Sequence, residues 1–461
     1  MPNLSAADLN QLYNDAESCD KEILAEMRSN QLLIAGDHYK KTSSKFLQRM
    51  KETTDLSDQQ KLRLVKNHIA KITDTYVHNI LSHAPATTIT PNNEAELQDQ
   101  KTAQLCKSVW EFYKRNSQLR KKVRDFAADF VGSGECAAKI FFDPDLGSVI
   151  GYQQAMDEET QELKFDEFGN PVPDYDKPVM AGDFVFERVL PFNLLRDPES
   201  QSMEESPYLI VRKMMPIQKV KDMCDTQEKK DAIVASSETT FLVFDGATAN
   251  YGKEKNKVLI REHYYKPSKQ YPKGYYFIAT ETTIIIEGEL PFGIWPLRWA
   301  GFDKIPTSAR ARSSIKRMRP YQLEINRTAS MIGQAQITLG EPKLILYNGS
   351  KISNGGSVPG VRAITVTGGG DPKVIEGASG DNYLPYMQSQ ITELYDVMNV
   401  KESDSARDQA QDPYTMLYTS QKNKQKFLKY CEEFEEFYVS ITELFLELAK
   451  VYLEDDVLIP M

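Results

Sequence analysis

Five histidines, His38, His68, His78, His83 and His263, are the first candidates for acid–base or metal chemistry, and they lie scattered along the chain. They form no HxH or HExxH arrangement, and no serine sits in a GxSxG elbow, so neither a zinc-bound hydroxide nor an activated serine has its usual frame. His78 and His83 flank the end of an expected helix, where a cation suits the negative end of the dipole. Gly132-Ser133-Gly134 lacks the Gly-Lys-Ser/Thr continuation that aims backbone N–H groups at a phosphate, and reads as a loop before a strand. Gly368-Gly369-Gly370 runs into Asp371-Pro372 with no helix N-terminus to receive an anion, and reads as a turn. Asp143-Pro144-Asp145-Leu146-Gly147 opens like a calcium loop but lacks the third carboxylate and the terminal Glu, which leaves a hairpin turn. Cys19, Cys106, Cys136, Cys224 and Cys431 are odd in number and contain no CxxC pair, which argues against a disulfide framework and a zinc knuckle and for a reducing compartment. The expectation is a protein without catalytic residues, metal or cofactor.

Charge is more informative than chemistry. Fifty-six Lys and Arg stand against 66 Asp and Glu, a net of −10, so the chain as a whole has no polycationic signature of wrapping nucleic acid. Between Asp303 and Gly340, however, Lys304, Arg310, Arg312, Lys316, Arg317, Arg319 and Arg327 face only Asp303 and Glu324, a local basic surplus. It predicts either a solvated or subunit-paired helix face, or contact with phosphates or an acidic partner. In the loop 400–412, Lys401 and Arg407 oppose Glu402, Asp404, Asp408 and Asp412, with no apolar anchor after Val400, so the loop should be mobile and wet.

The elements that would position these groups follow from length and periodicity. A chain of 461 residues with 41% apolar and 26% charged residues, Gly 24 and Pro 23, is folded in composition and long enough for about three modules. It has neither a basic n-region before an apolar core nor a run of about 18 apolar residues, so secretion and membrane spanning are not expected. Residues 1–130 read as helical, with a stripe at Leu62, Val65, Ile69, Ile72, Tyr76 and Ile80. Residues 131–307 change to short β-branched and aromatic runs, with a polar stretch at 155–182 that reads as a long hairpin or a surface insertion. Residues 308–342 read as mostly helical, interrupted or kinked near Pro320 and stopped by Gly340 and Pro342. Residues 343–382 are turn-rich, with strands at Lys343 to Tyr347 and Ala363 to Thr367 and with Gly355, Gly356, Gly368, Gly369 and Gly370 among nine glycines. A helix over 383–399, the polar loop and a last helix in 413–461, opened by Pro413, complete the order. In that last helix Phe427, Cys431, Phe434, Tyr438, Ile441, Phe445, Leu448 and Tyr452 keep a period of 3.5, a seam made for packing on other helices. The fold class expected is α+β.

This order of parts, a sheet module, long helix, glycine-rich β excursion, return helix, polar loop and packing helix, resembles the portal proteins, or head-to-tail connectors, of tailed double-stranded-DNA bacteriophages, most closely those of short-tailed phages. The residues carrying the likeness are Leu190-Pro191-Phe192-Asn193-Leu194-Leu195-Arg196-Asp197-Pro198, Tyr208-Leu209-Ile210-Val211 and Pro216-Ile217-Gln218-Lys219-Val220. A second block comprises Leu290-Pro291-Phe292 to Trp299, Ser313, Ile315, Met318-Arg319-Pro320-Tyr321-Gln322, Asn326, Ser330 and Glu341-Pro342-Lys343. The resemblance covers most of the chain in order, and its specificity lies in the combination of these motifs.

The resemblance implies a wing in two parts (1–130 and 131–307), stem helices at 308–342 and 383–399, a clip at 343–382, a tunnel loop at 400–412 and a long wing helix at 413–461 leading to a crown. The sequence stops at Met461, so the crown is expected to be short, absent or beyond these residues. It implies a dodecameric ring at the portal vertex of the virion, assembled in the host cytoplasm with major capsid and scaffolding proteins. Double-stranded DNA would be packaged by terminase and ejected through tail or adaptor proteins. The clip glycines would then shape a docking rim, the basic residues 310–327 would ease ring formation or line the channel, and the period-3.5 seam would serve the subunit interface. A ring of twelve would carry about −120 formal charges and favour sliding over adhesion. Lys401 and Arg407 would touch DNA transiently while the four loop acids prevent sticking; unchanged packaging and ejection after neutralising those acids would sink this expectation. A non-enzymatic head–tail adaptor fits the missing catalytic constellation too, and ring order would separate the two. A phage nuclease would need clustered carboxylates or histidines, and a divalent-metal cleavage assay would expose it.

Overall fold

A computed structural model defines the fold and describes residues 4–39, 62–82, 87–154, 172–235, 256–269, 271–290, 293–339, 343–347, 362–366, 373–375, 383–400 and 413–453. The first helix, α1 (Ala6–Ala35), opens on a capping box: Asp8 N–H donates to Ser5 Oγ at 3.2 Å and Ser5 N–H to Asp8 Oδ2 at 2.9 Å. The Ser5 hydroxyl and backbone N–H hold the Asp8 carboxyl below its ordinary value. Three helices follow, α2 (His68–Ser82), α3 (Leu97–Asn116) and α4 (Leu119–Gly132). Within the predicted stripe Ile69, Ile72, Tyr76 and Ile80 are buried on α2, but Leu62 and Val65 precede the helix, in a stretch without regular secondary structure. Asn67 stops the pattern by acting as the N-cap, its Oδ1 accepting from Ala70 N–H at 3.1 Å.

The β-rich part builds two antiparallel sheets. Strand β1 (Glu135–Asp143) lies between β4 (Asp183–Val189) and β10 (Leu297–Gly301). Strands β5 (Leu194–Arg196), β6 (Tyr208–Pro216), β7 (Lys257–Tyr265), β8 (Tyr275–Ala279) and β9 (Ile284–Glu289) form a five-stranded meander in sequence order. A ribbon of β2 (Val149–Gln154) and β3 (Pro173–Met180) follows the Asp143 turn, where Asp145 N–H donates to Asp143 Oδ1 at 3.1 Å. Alternation gives the meander two different faces: Leu259 and Tyr208 pack with Tyr13, Ala16 and Leu24 of α1. On the other face Val258 and Ile260 pack with Val220 and Cys224, around the short helices α5 (Ile217–Asp222) and α6 (Gln227–Ala232). Lys139 of β1 reaches Glu262 of β7 at 2.5 Å, an ion pair joining the two sheets.

Gly134 shows why the Gly132-Ser133-Gly134 run is a crossing point. Its φ of +92° favours glycine, and a Cβ there would stand 2.4 Å from Arg312 C and Ser313 N. The approaching backbone belongs to a small pair, β11 (Asp303–Lys304) with β12 (Ala311–Arg312). That pairing corrects the start of the first long helix: α7 runs Ile315–Leu339 rather than from Ser308, because residues 311–312 are in a strand. Ser313 marks the boundary, donating to Val131 O and Gly132 O at 2.8 Å and accepting from Ile315 N–H at 3.1 Å. Pro320 lies inside a continuous α7. Strands β13 (Lys343–Tyr347), β14 (Arg362–Val366) and β15 (Lys373–Ile375) form a sheet with β13 and β14 parallel and β13 and β15 antiparallel, so the turn-rich region holds one strand more than its sequence suggests. Helices α8 (Tyr383–Val397) and α9 (Pro413–Tyr452) close the chain.

The main core is organised by α9. Phe427, Cys431, Phe434, Tyr438, Ile441, Phe445 and Leu448 are buried against helices and strands of their own chain. Phe434 meets Phe130, Phe437 meets Phe126, and Phe445 meets Trp110, Tyr113 and Phe184 at ring-centroid distances of 5.1–5.7 Å. The seam expected at a subunit interface is therefore an internal spine. Its period is the same in both uses, since only the identity of the facing surface differs. Helices and strands are segregated along the chain and the sheets β1–β12 are antiparallel, which makes the class α+β. Among the described residues no helix is long and apolar enough to cross a membrane.

Candidate functional site

Helices α7 and α8 form a tightly fixed pair. The two helices pack side by side, with Met387, Ile391, Leu394 and Tyr395 of α8 in the same core as Ile325, Ala329 and Ile332 of α7. Tyr386 Oη lies 3.5 Å from Glu324 Oε1. The end of α8 is fixed by Val400 N–H donating to Tyr395 O at 3.0 Å, by Asn399 at a φ of 54°, and by the Tyr76 hydroxyl donating to Met398 O at 2.8 Å. Burial first, then Tyr430, pushes the Tyr76 phenol well above its ordinary value, so it stays a donor.

Along α7 runs a strap, residues 62–68. Leu62 N–H donates to Gln334 Oε1 at 3.2 Å, Leu64 N–H to Ser330 Oγ at 3.0 Å, Lys66 N–H to Asn326 Oδ1 at 3.0 Å and His68 N–H to Gln322 Oε1 at 3.0 Å. The acceptors stand four residues apart on a helix, about 6 Å of rise. Their donors stand two apart on the strap, about 6.6 Å if extended. The match lets one helix face satisfy every second backbone N–H of an antiparallel strap without a sheet. Gly333 admits it: a Cβ there would lie 2.4 Å from Leu62 Cδ2. Three of the four acceptors, Gln322, Asn326 and Ser330, belong to the motif that carries the family resemblance; the repeat of polar residues at steps of four was the signal for their joint role.

The expected basic face divides. Arg310 and Arg319 are buried, and neither lies on an exposed helix face. Arg310 precedes α7 and sits with Arg196, Glu135 and Asp20: Glu135 Oε2 accepts from Arg196 Nη2 at 2.6 Å and from Arg310 Nη1 at 3.1 Å, while Asp20 pairs with Arg310. Burial works against both cations; at Arg310 the two carboxylates outweigh it and raise the pKa, whereas Arg196, also facing the Arg310 charge, is pushed down to about 10. Arg319 donates to Glu26 O at 3.0 Å, Ser29 Oγ at 2.9 Å and Asn30, all on α1. Lys316 is exposed and 3.6 Å from Glu26, Arg317 exposed and 2.6 Å from Asp303, Arg327 exposed and 3.6 Å from Glu324. Arg312 is exposed in β12, and Lys304 pairs with Glu433. The surplus read along the sequence is largely compensated by carboxylates brought from α1, β1 and α9.

The other expected residues fall elsewhere. Lys401, Glu402, Asp404, Arg407, Asp408 and Asp412 lie outside the described residues, as do Gly355, Gly356, Gly368, Gly369, Gly370 and His83. No group of three or more His, Cys, Asp or Glu able to hold a metal exists among the described residues. A shallow groove of about 510 Å³ follows the outer face of α9, lined by Glu432, Glu435, Glu436, Val439, Ser440 and Glu443. Its carboxylates make this surface repel polyanions. The α7–α8 pair exposes apolar groups instead: Tyr383, Leu384 and Tyr386 on α8 are 43%, 45% and 47% accessible, and Met331 on α7 is 43%.

No protein-family model matches the chain and no curated protein matches it.

Proposed function

We propose that the chain is a portal protein of a tailed double-stranded-DNA phage. Twelve copies would form a ring at one capsid vertex, acting as the channel for packaging and ejection and as the docking platform for terminase and tail or adaptor proteins. The observation that supports this reading most is the packed α7–α8 pair, linked through a three-stranded sheet, followed by α9 returning into the core of the preceding module. A packed pair of helices joined through a sheet forms a wall element that cyclic repetition can close.

Two surface properties agree with that use. The seam of α9 is consumed internally, so a ring contact must come from elsewhere, and Met331, Tyr383, Leu384 and Tyr386 supply exposed apolar area on the stem pair. The outer face of α9 and the net charge of −10 disfavour adhesion to a passing duplex. Native mass spectrometry with negative-stain imaging tests the reading. A 52.5 kDa chain should give a closed ring of about 630 kDa with a central hole. A monomer that persists in the presence of capsid partners would sink the portal reading and leave the adaptor.

A further inference from the structure

The strap on α7 carries one titratable group at its centre. His38, after α1, is buried, with Nε2 2.9 Å from Leu33 O and Nδ1 2.7 Å from Asn326 Nδ2. A carbonyl can only accept, so Nε2 carries the proton, and the neutral ring's Nδ1 must accept from the Asn326 amide. Asn326 Oδ1 then faces the Lys66 N–H at 3.0 Å and Gln322 Nε2 at 2.9 Å, both donors. Gln322 in turn donates to Lys66 O at 2.6 Å and accepts from His68 and Ile69 N–H. Each donor meets an acceptor from Leu33 to Ile69, and the orientation of both amides follows from a neutral His38.

We propose that His38 is a proton-operated latch between the end of α1, the strap 62–68 and helix α7, closed when the imidazole is neutral and opened by a proton on Nδ1. A proton there would set an N–H against the Asn326 NH₂ group. Turning Asn326 over to accept it would present Nδ2 to the Lys66 N–H and the Gln322 amide, two donor–donor contacts at the middle of the strap. The proton therefore costs either its own hydrogen bond or the strap's. The charged and titratable groups on the packed elements include Asp37 and Tyr39 beside His38, with the Tyr39 hydroxyl donating to Leu64 O on the strap; Arg63, Lys66 and His68 on the strap; Glu26 on α1; and Arg319 on α7, near Glu26. Asn67 adds a clamp, donating to Leu33 O at 3.1 Å and Ile34 O at 2.9 Å. Burial holds the His38 pKa below 6.5, against the pull of Leu33 O, Asn67 and Asp37. Opening then grows as pH falls below 6.5, the value of the released ring. The latch lies within one chain and does not depend on ring formation.

Hydrogen exchange of the full chain tests it, read at the amides of Leu62, Leu64, Lys66 and His68 and corrected for intrinsic rates. From pH 7 to pH 5 their opening should rise several-fold, with a ceiling of about 25-fold set by the free imidazole, while the β1 amides of Ala137 and Ala138 stay protected. His38→Gln keeps a donor for Leu33 O and an acceptor for Asn326 without titrating, so its strap protection should be flat over this range. Asn326→Asp presents only acceptors and should reverse the sign, the strap gaining protection as pH falls from 8 to 5. Strap amides that hold constant protection in the wild type, or lose it only together with β1, would overturn the latch. So would a His38→Gln protein that titrates like the wild type, or an Asn326→Asp protein without reversal.

Discussion

Replacing Glu135 by Gln is expected to cost the fold about 3–5 kcal/mol, read as a lower urea midpoint with an unchanged slope. Glu135 is wholly buried and accepts from Arg196 Nη2 at 2.6 Å, Arg310 Nη1 at 3.1 Å and Ala311 N–H at 2.7 Å. With Asp20 it balances two buried guanidinium groups by two carboxylates. Glutamine keeps the shape but removes one negative charge, leaving two buried cations against Asp20. Arg196 is already pushed down to about 10 by burial and by Arg310, so it has the least charge stabilisation to spare. Adding Arg310→Met to Glu135→Gln removes the surplus cation, and the double variant should lose less than the sum of the single changes by at least about 1 kcal/mol. A Glu135→Gln protein that unfolds at the wild-type urea concentration would show that the network contributes nothing net.

The same network explains what local sequence could and could not convey. Arg310 finds Glu135 at a separation of 175 residues and Asp20 at 290, so a charge count over residues 303–340 registers the cations without their partners. Periodicity carried further. The 3.5-residue seam of α9 located its buried face from Phe427 to Leu448. A repeat of apolar residues specifies that a face is covered but not by what, and here the cover is α4, β1 and their neighbours rather than a second copy. Helix starts failed where pairing overrode propensity: residues 308–314 are compatible with a helix, but Arg312 pairs with Asp303 in β11–β12 and Ser313 turns its hydroxyl on the end of α4. The strap was the least legible part. Gln322, Asn326, Ser330 and Gln334 look like one polar helix face until a segment some 260 residues earlier supplies the N–H groups they accept.

A second large effect is expected from acid. His263 on β7 is wholly buried between Ile210 of β6 and Phe277 of β8, on the face covered by α1, and among the described residues neither ring nitrogen has a hydrogen-bond partner. The groups on that face are Arg261, which stacks on Tyr13 at 3.8 Å, Tyr265 and Arg212, the last paired with Glu17 at 2.5 Å. Burial, reinforced by the Arg261 charge, pushes the imidazole down to about 3 from its ordinary 6.5. The folded state therefore demands the neutral ring while the unfolded chain accepts a proton from pH 6.5 downward. Stability is fully present above 6.5 and falls as pH drops through the window between 6.5 and about 3, by about 1.4 kcal/mol per unit once well inside it. At pH 5 this single residue should cost about 2 kcal/mol relative to pH 8. His263→Leu removes both unpartnered nitrogens at similar volume, so thermal and urea unfolding at pH 8 should change little. The variant should exceed the wild type by about 2 kcal/mol at pH 5, the share of His38 and the carboxylates being common to both. Equal stability of the two proteins at pH 5 would mean that His263 is protonated in the folded state, which its dry position between Ile210 and Phe277 does not allow.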